Sequence, residues 1–499
     1  MMRAGSRLLL ALLASLALAA CARAPIESAQ GDDRGALEER LRGDIAMLAS
    51  DEFMGRKPGT LGEERTLAYL ETRMGEVGLL SGTGDPGSYW RQPVNLVATT
   101  PLTGELTLIQ GRKRVAVPQS DAVVITKRRR ALATSGPGTG VPVVFVGYGD
   151  GSVLGDALAG AVAVMLADPG RDAARRDALF AQRATAVVTV EPTADDLPRV
   201  QTAPRFELAS EEVDTLAAYV TDAAIADVIG PRRWARLKAD AQAADFSPIE
   251  LNFAVAIEAT ADRQEITSHN LVGMIPGTAP GSGAVLLLAH WDHLGECGAT
   301  GAADRICNGA VDNASGLAVM LELARQLKSG PPLERDIYVL ATTAEEAGLL
   351  GARAFVRDPP LPLGGIVAAF NFDMLALAPK GSPVGFIGRG QMSMLDDVIL
   401  AEIARSGRVE GDQALAESFV RRQDGWVFQQ QGVPTVLLSS SYGSRGVLQP
   451  FLSSRYHQPS DELGAIDLGG AVDDLLLHER LIRQIADPER YPPPAAAAP

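Results

Sequence analysis

Histidine is scarce in this chain, with five among 499 residues. Cysteine is scarcer, at three, and no spacing among them has the paired form of a thiolate zinc site. Clustered positive charge is also lacking. Lys and Arg number 46 against 61 Asp and Glu, for a net charge of −15. The one dense basic run, "KRRR" at 127–130, reads as a solvated loop. Nucleic-acid binding is therefore excluded, since phosphate contacts need Lys and Arg gathered on one face. The N-terminal apolar stretch, Leu8 to Ala20, is thirteen residues long. A bilayer span needs about 20.

What is present points to a globular protein of two units: 46% hydrophobic and 21% charged residues over a length too great for one ordinary core. Arg3 and Arg7 followed by the thirteen-residue apolar stretch have the form of a secretory signal. The closing "LAAC" resembles a bacterial lipobox, which implies a signal peptide over 1–20 and lipid on Cys21. Export follows, with the protein anchored to a bacterial membrane only through that lipid. Ala22, rather than Asp, after the cysteine favours the outer membrane, periplasmic side. Cys297 and Cys307, ten positions apart in one loop, are then expected to pair.

Composition divides the rest. Residues 21–35 read as a tether and 36–99 as the helical start of a first domain. Short β-type runs such as "VPVVFVGYG" and "AVAVMLAD" mark 100–245 as a mainly β insert, with helices expected at 215–242. From 246 to 488 apolar strands alternate with amphipathic helices, which predicts an α/β fold with a mostly parallel central sheet flanked by helices. The Pro/Ala tail, 489–499, reads as disordered.

The strands of that last segment end in one kind of residue. "AVLLLA" runs into His290 and Asp292, and "NGAVDNASG" places Asp312 before a helix. "DIYVLATTA" ends in Glu345 and Glu346, "IVAAFNF" in Asp373, and His457 lies in "RYHQPSDEL". Ligands of open α/β sheets bind at the carboxyl ends of strands. Two histidines and several carboxylates without cysteine suit a pair of zinc ions with open positions. Such ions, about 3.5–4 Å apart, need a shared anion and a separate carboxylate to move protons.

These motifs, "AHWDHLG", "NGAVDNASG", "TAEEAGLLGA", "FNFDM" and "YHQPSDE", in this order resemble the co-catalytic dizinc exopeptidases of metallopeptidase family 28. "LASDEFMGRKPGTLGEE" extends the resemblance, and "VVFVGYG" resembles the protease-associated domain often inserted in them. The resemblance implies two Zn2+ per chain: one on His290 and Asp373, one on Glu346 and His457, with Asp312 bridging. It makes Glu345 the general base and acid. Asp292 would accept the second ring N–H of His290 and fix its tautomer. Peptides are the implied substrates, cut at the N-terminal residue by metal-bound hydroxide. Asp424, in "RQDGWVF" where the family has Ser-Asp-His, is a candidate substrate contact, as are Tyr442 and Tyr456. Asp461 is expected to orient the His457 loop. His293, on the opposite face of the strand, reads as structural, and His269 and His478 as ordinary polar residues. A carboxypeptidase or dipeptidase on the same framework, and an inactive binding protein or receptor of the same fold, are the alternatives.

Overall fold

A computed structural model describes residues 34–492, apart from residue 86 and the segments 135–139, 152–157, 201–203 and 213–214. The expected signal peptide, Cys21 and nearly all of the expected tether lie outside the described residues. Helix α1 (Arg34–Leu48) already includes the last two tether positions. Helix α2 (Leu61–Val77) is capped by the Thr60 hydroxyl, which accepts from the Gly62 N–H, and stops at Gly78 in the left-handed conformation.

Strand β1 (Arg91–Gln110) follows. The middle of the chain supplies β2 (Ala122–Thr126), β3 (Val141–Gly147), β4 (Val162–Leu166), β5 (Ala186–Glu191) and β6 (Leu216–Thr221). A 27-residue strand, β7 (Ile249–Ile275), returns antiparallel along the whole of β1. Next come β8 (Ala284–His290), α3 (Gly316–Ser329), β9 (Asp336–Thr342), α4 (Leu350–Arg357), β10 (Ile366–Asn371), β11 (Gly385–Ile387), β12 (Thr435–Ser439) and α5 (Gly469–Ile485). The main path of the sheet runs β11-β12-β10-β8-β9-β7-β3-β4-β5-β6-β2. Its two stretches β12-β10-β8-β9 and β3-β4-β5-β6 are parallel, and β7 joins them by antiparallel pairing to β9 and β3. The fold is thus mixed α/β, with one large sheet flanked by helices.

Burial explains the continuous apolar runs. All seven residues of β8 are buried, because helices cover both faces of a parallel sheet. Leu286, Leu287 and Leu288 are each 0% exposed, and such burial stabilises by about 1.5–3 kcal/mol per side chain. One segment departs from its sequence expectation. Residues 216–221, "LAAYVT", form a strand and not a helix, paired with β5 on one side and β2 on the other. Alanine-rich propensity yields there to a slot between two strands, and the Thr221 hydroxyl caps the helix that starts at Asp222. The expected disordered tail is also corrected at its start. Tyr491 is fully buried, with the Arg335 guanidinium 5.8 Å from its ring centre.

His478, on α5, is packed against Phe370 and Phe372 and bonds through Nδ1 only to the Asp474 carbonyl. Burial drives its pKa down to about 4 from 6.5. The folded protein therefore keeps this ring neutral while the unfolded chain protonates it below about 6.5. Stability contributed here is complete above pH 6.5 and lost as pH falls toward 4, by about 3 kcal/mol in all. Urea unfolding of wild type and His478→Gln between pH 7 and 4.5 tests this. The stability difference should shift against wild type on acidification; a pH-independent difference would refute it.

Candidate metal centre

Most of the site residues stand where a sheet strand gives way to a loop. His290 is the last residue of β8, with Asp292 and His293 just beyond it. Glu345 and Glu346 follow β9, and Asp373 follows β10. Asp312 lies in the tight turn Ala310–Ser315 that leads into α3. Ala344, Met374 and His457, beside or within these junctions, all have φ between 50° and 59°. Non-glycine residues hold that conformation at a cost of about 1–3 kcal/mol each, so surrounding contacts must impose it.

Those contacts are visible. The Asn313 amide donates to the Phe372 carbonyl at 2.8 Å, and its oxygen accepts from Gly316 and Met374 N–H groups. The Ser315 hydroxyl donates to the Val311 carbonyl and accepts from Leu375 N–H. Asp461 differs from expectation: its carboxylate accepts the N–H groups of Val311 and Asp312 at 3.1 Å, so the loop it orients is that of Asp312 and not that of His457. Beneath everything lies Arg56, 0% exposed. Its guanidinium donates to the carbonyls of Leu48, Trp291, Asn308, Gly309 and Asp312.

The result is a compact cluster. His290 Nε2 is 3.3 Å from Asp312 Oδ1 and 3.6 Å from Asp373 Oδ1. His457 Nε2 is 3.4 Å from Asp312 Oδ2 and 3.0 Å from Glu346 Oε2. The two oxygens of Asp312 thus face two separate groups of donors. His290, Asp312 and Asp373 place ligand atoms within 4.8 Å of one another, as do His293, Asp312 and Glu346. Asp373 Oδ1 and His457 Nε2 are buried without a hydrogen-bond partner, as a position meant for a cation would leave them. Oxygen and imidazole donors at these separations fit a zinc-type divalent ion.

Charge within the cluster is unbalanced. Burial raises the Asp292 carboxyl to about 7 and the Asp461 carboxyl to about 6. Burial also lifts Glu345 well above the carboxylate range, with His290 opposing. Burial works against protonated His457, yet Asp312 and Glu346 outweigh it and carry its pKa to about 10. The same contest, won mainly by Glu345 and Asp312, keeps His290 well above its ordinary value. Carboxylates that hold protons on one buried and one half-buried imidazole would hold a divalent cation in their place.

A small cleft opens on this cluster, lined by His290, Asp312, Glu345, Asp373, Met374, Phe419, Arg422, Tyr442 and Tyr456. Tyr442 and Tyr456 therefore stand on its wall. Asp424 lies behind it: buried, bonded to the Thr342 hydroxyl, and raised to about 6 by burial. Asp292 differs from expectation. His290 Nδ1 meets the Asp292 backbone carbonyl at 3.1 Å, and the Asp292 carboxylate is 3.8 Å away, accepting from the Glu345 and Glu346 N–H groups. His293 differs more. Expected to face away, it is buried with Nδ1 2.6 Å from Glu346 Oε1. Strand alternation stops at His290, so it cannot assign His293 to a face. Cys297 and Cys307 are joined by a disulfide, Cα atoms 5.8 Å apart, and the Cys297 sulfur lies 3.5 Å from the His457 carbonyl. A separate cavity of about 710 Å³, between Tyr148, Asp168, Arg171 and Phe246, holds none of these residues.

The segment carrying every ligand candidate matches a known sequence family over residues 270–474. This segment is a peptidase family M28 domain. Part of the chain is 27% identical over 234 residues to the probable lipoprotein aminopeptidase LpqL of Mycobacterium tuberculosis, 42% of this chain and 44% of that one. A shorter stretch, 91 residues, is 38% identical to aminopeptidase YwaD of Bacillus subtilis, 18% of either chain. The chain thus spans less than half the length of these curated relatives. An aminopeptidase from Aneurinibacillus sp. strain AM-1 shares the fold, with a TM-score of 0.54 at 19% identity over 89% of this chain and 93% of that one.

The M28 domain depends on Arg56, which lies outside it in sequence. Arg56→Met should leave up to five buried carbonyls without donors and remove a cation from an acidic region. A loss of at least about 3 kcal/mol is expected, with reduced metal content. Denaturant unfolding and elemental analysis of the purified variant check both, and an unchanged midpoint would show the carbonyls satisfied some other way.

Proposed function

We propose that the chain is an exported, lipid-anchored aminopeptidase that removes N-terminal residues from peptides with two zinc ions. The observation that carries this reading is the placement of Asp312, whose oxygens face His290 and Asp373 on one side and Glu346 and His457 on the other. His290 and Asp373 would hold one ion, Glu346 and His457 the second, and Asp312 both. His293, on the other oxygen of Glu346, would fix that carboxylate's direction. Bound there, the ions would polarise a peptide carbonyl and acidify a water molecule.

The remaining steps belong to the chain's own groups. Glu345 reaches the cleft while its neighbour Glu346 turns to the histidines. Two successive carboxylates pointing apart separate the work of holding a cation from that of moving a proton. Glu345 would take the proton and return it to the leaving amine. Asp292, bonded to both of their backbone N–H groups, would keep that division fixed. Tyr442, buried at the cleft wall, would donate to the oxygen on which charge develops. An inactive binding protein would have no reason to keep the ligand set and Glu345 complete.

Export and lipid attachment at Cys21 rest on the N-terminal residues and accord with the word lipoprotein in the name of the Mycobacterium relative. Residues 36–99 and 246–488 would form the peptidase and 100–245 its protease-associated-like insert. Among the described residues no helix is long and apolar enough to cross a membrane.

Aminoacyl-p-nitroanilides, assayed beside their N-acetylated forms with and without chelator, test the reading. Chelator-sensitive cleavage of only the free-amine series is expected. Cleavage confined to peptides with a free carboxylate at the cut end would favour a carboxypeptidase or dipeptidase. Glu345→Gln should keep its metal and lose turnover by at least ~100-fold; full activity in that variant would remove Glu345 from the reaction.

A further inference from the structure

The cleft that holds His290, Asp312, Glu345 and Asp373 has a volume of about 20 Å³. That is space for roughly one water molecule, so any part of a substrate beyond its reacting carbonyl must lie at the mouth. Arg422 stands there. It is the one basic side chain besides His290 among the lining residues, and it is exposed.

The setting of Arg422 is specific. Its guanidinium carbon is 5.1 Å from the centre of the Phe419 ring and 5.9 Å from that of Tyr456, both cleft residues. Tyr456 is in turn stacked on the His457 ring at 3.8 Å. Among the described residues no carboxylate pairs with Arg422. Other arginines are committed to partners within the protein: Arg56 to five carbonyls, Arg408 to Asp474, Arg445 to Asp412. Aromatic contacts orient a planar guanidinium while leaving its edge N–H groups free, the arrangement that receives a carboxylate on two bonds. The same edge stands beside a cleft whose own carboxylates would otherwise repel an anionic substrate.

We infer that Arg422 is a specificity residue that binds a carboxylate of the substrate at the cleft mouth. The carboxylate has two sources: an acidic side chain on the first residue, or the C-terminus of a short peptide cut near its end. This inference rests on the peptidase reading and names the substrates that reading would favour.

Paired substrates that differ only in that charge separate the sources. Glu-p-nitroanilide against Gln-p-nitroanilide reports the side chain, and Ala-Ala against Ala-Ala-amide reports the C-terminus. Wild type should favour the charged member of one pair by about 10- to 100-fold in kcat/KM. Arg422→Gln should bring that ratio near one, chiefly through KM, and Arg422→Lys should keep part of it. The ratio is internal to each preparation, so partial misfolding does not alter it. Equal rates within both pairs for wild type, or a preference that survives Arg422→Gln, would overturn the assignment. If wild type cleaves nothing, calorimetric titration of zinc-loaded protein with glutamate α-amide, glutamine and glutamine α-amide, which carry a side-chain carboxylate, an α-carboxylate and none, decides separately. Carboxylate-dependent binding that needs Arg422 would keep the carboxylate site and sink the peptidase reading; no such binding would sink both.

Discussion

The structure around the site is arranged to bury acid. Asp292, Asp312, Asp373, Asp424 and Asp461 are each at most 5% exposed, and Glu345 and Glu346 stand beside them. An unpaired buried charge costs several kcal/mol, so the fold must supply compensation. Part of it is Arg56, whose buried guanidinium keeps its proton although burial pulls its pKa down to about 10, with Asp312, Asp461 and Asp292 opposing. Because its bonds go to backbone carbonyls and not to carboxylates, Arg56 also fixes the path of three loops. Charge compensation and loop geometry are one device. The rest of the compensation is left to whatever cation the ligand set binds.

That dependence explains why the rigid sheet matters. The parallel strands β8, β9 and β10 end side by side, and each delivers a ligand or proton-handling group to the same few ångströms. Asn313 and Ser315 then tie the Asp312 turn to the segment after β10. A shift at the end of β8 or β10 would open the His290 and Asp373 side of Asp312, and one at the end of β9 the Glu346 side. Positive φ at Ala344, Met374 and His457 is tolerated because hydrogen bonds and burial leave those residues little else to do.

Much of this was legible in the residues alone, and the reason is physical. A fully buried parallel strand must be apolar throughout, so a His or Asp at its end stands out, as His290 and Asp373 do. What the sequence hid depends on tertiary context. Period-two alternation holds only while the chain is a strand; it says nothing of His293, three residues past the end of β8. "LAAYVT" carries small and β-branched residues in equal measure, and only its neighbours decide for a strand. Arg56 looks like any surface arginine until Leu48, Trp291 and Asn308 converge on it. Asp292 was visible as a partner of the site, but which groups it would serve was not.

The pairing of β1 with β7 has a consequence for how the chain comes together. The first of these strands leaves the ribosome well before the second, with β2 to β6 and their helices between them. The β8–β10 sheet meets β7 only through that strand's last five residues, Leu271–Ile275, while the rest of β7 pairs with β1 and β3. One continuous strand thus carries the register of both halves of the sheet, and a lesion in residues 100–245 that displaced β7 would reach the ligand-bearing strands through it.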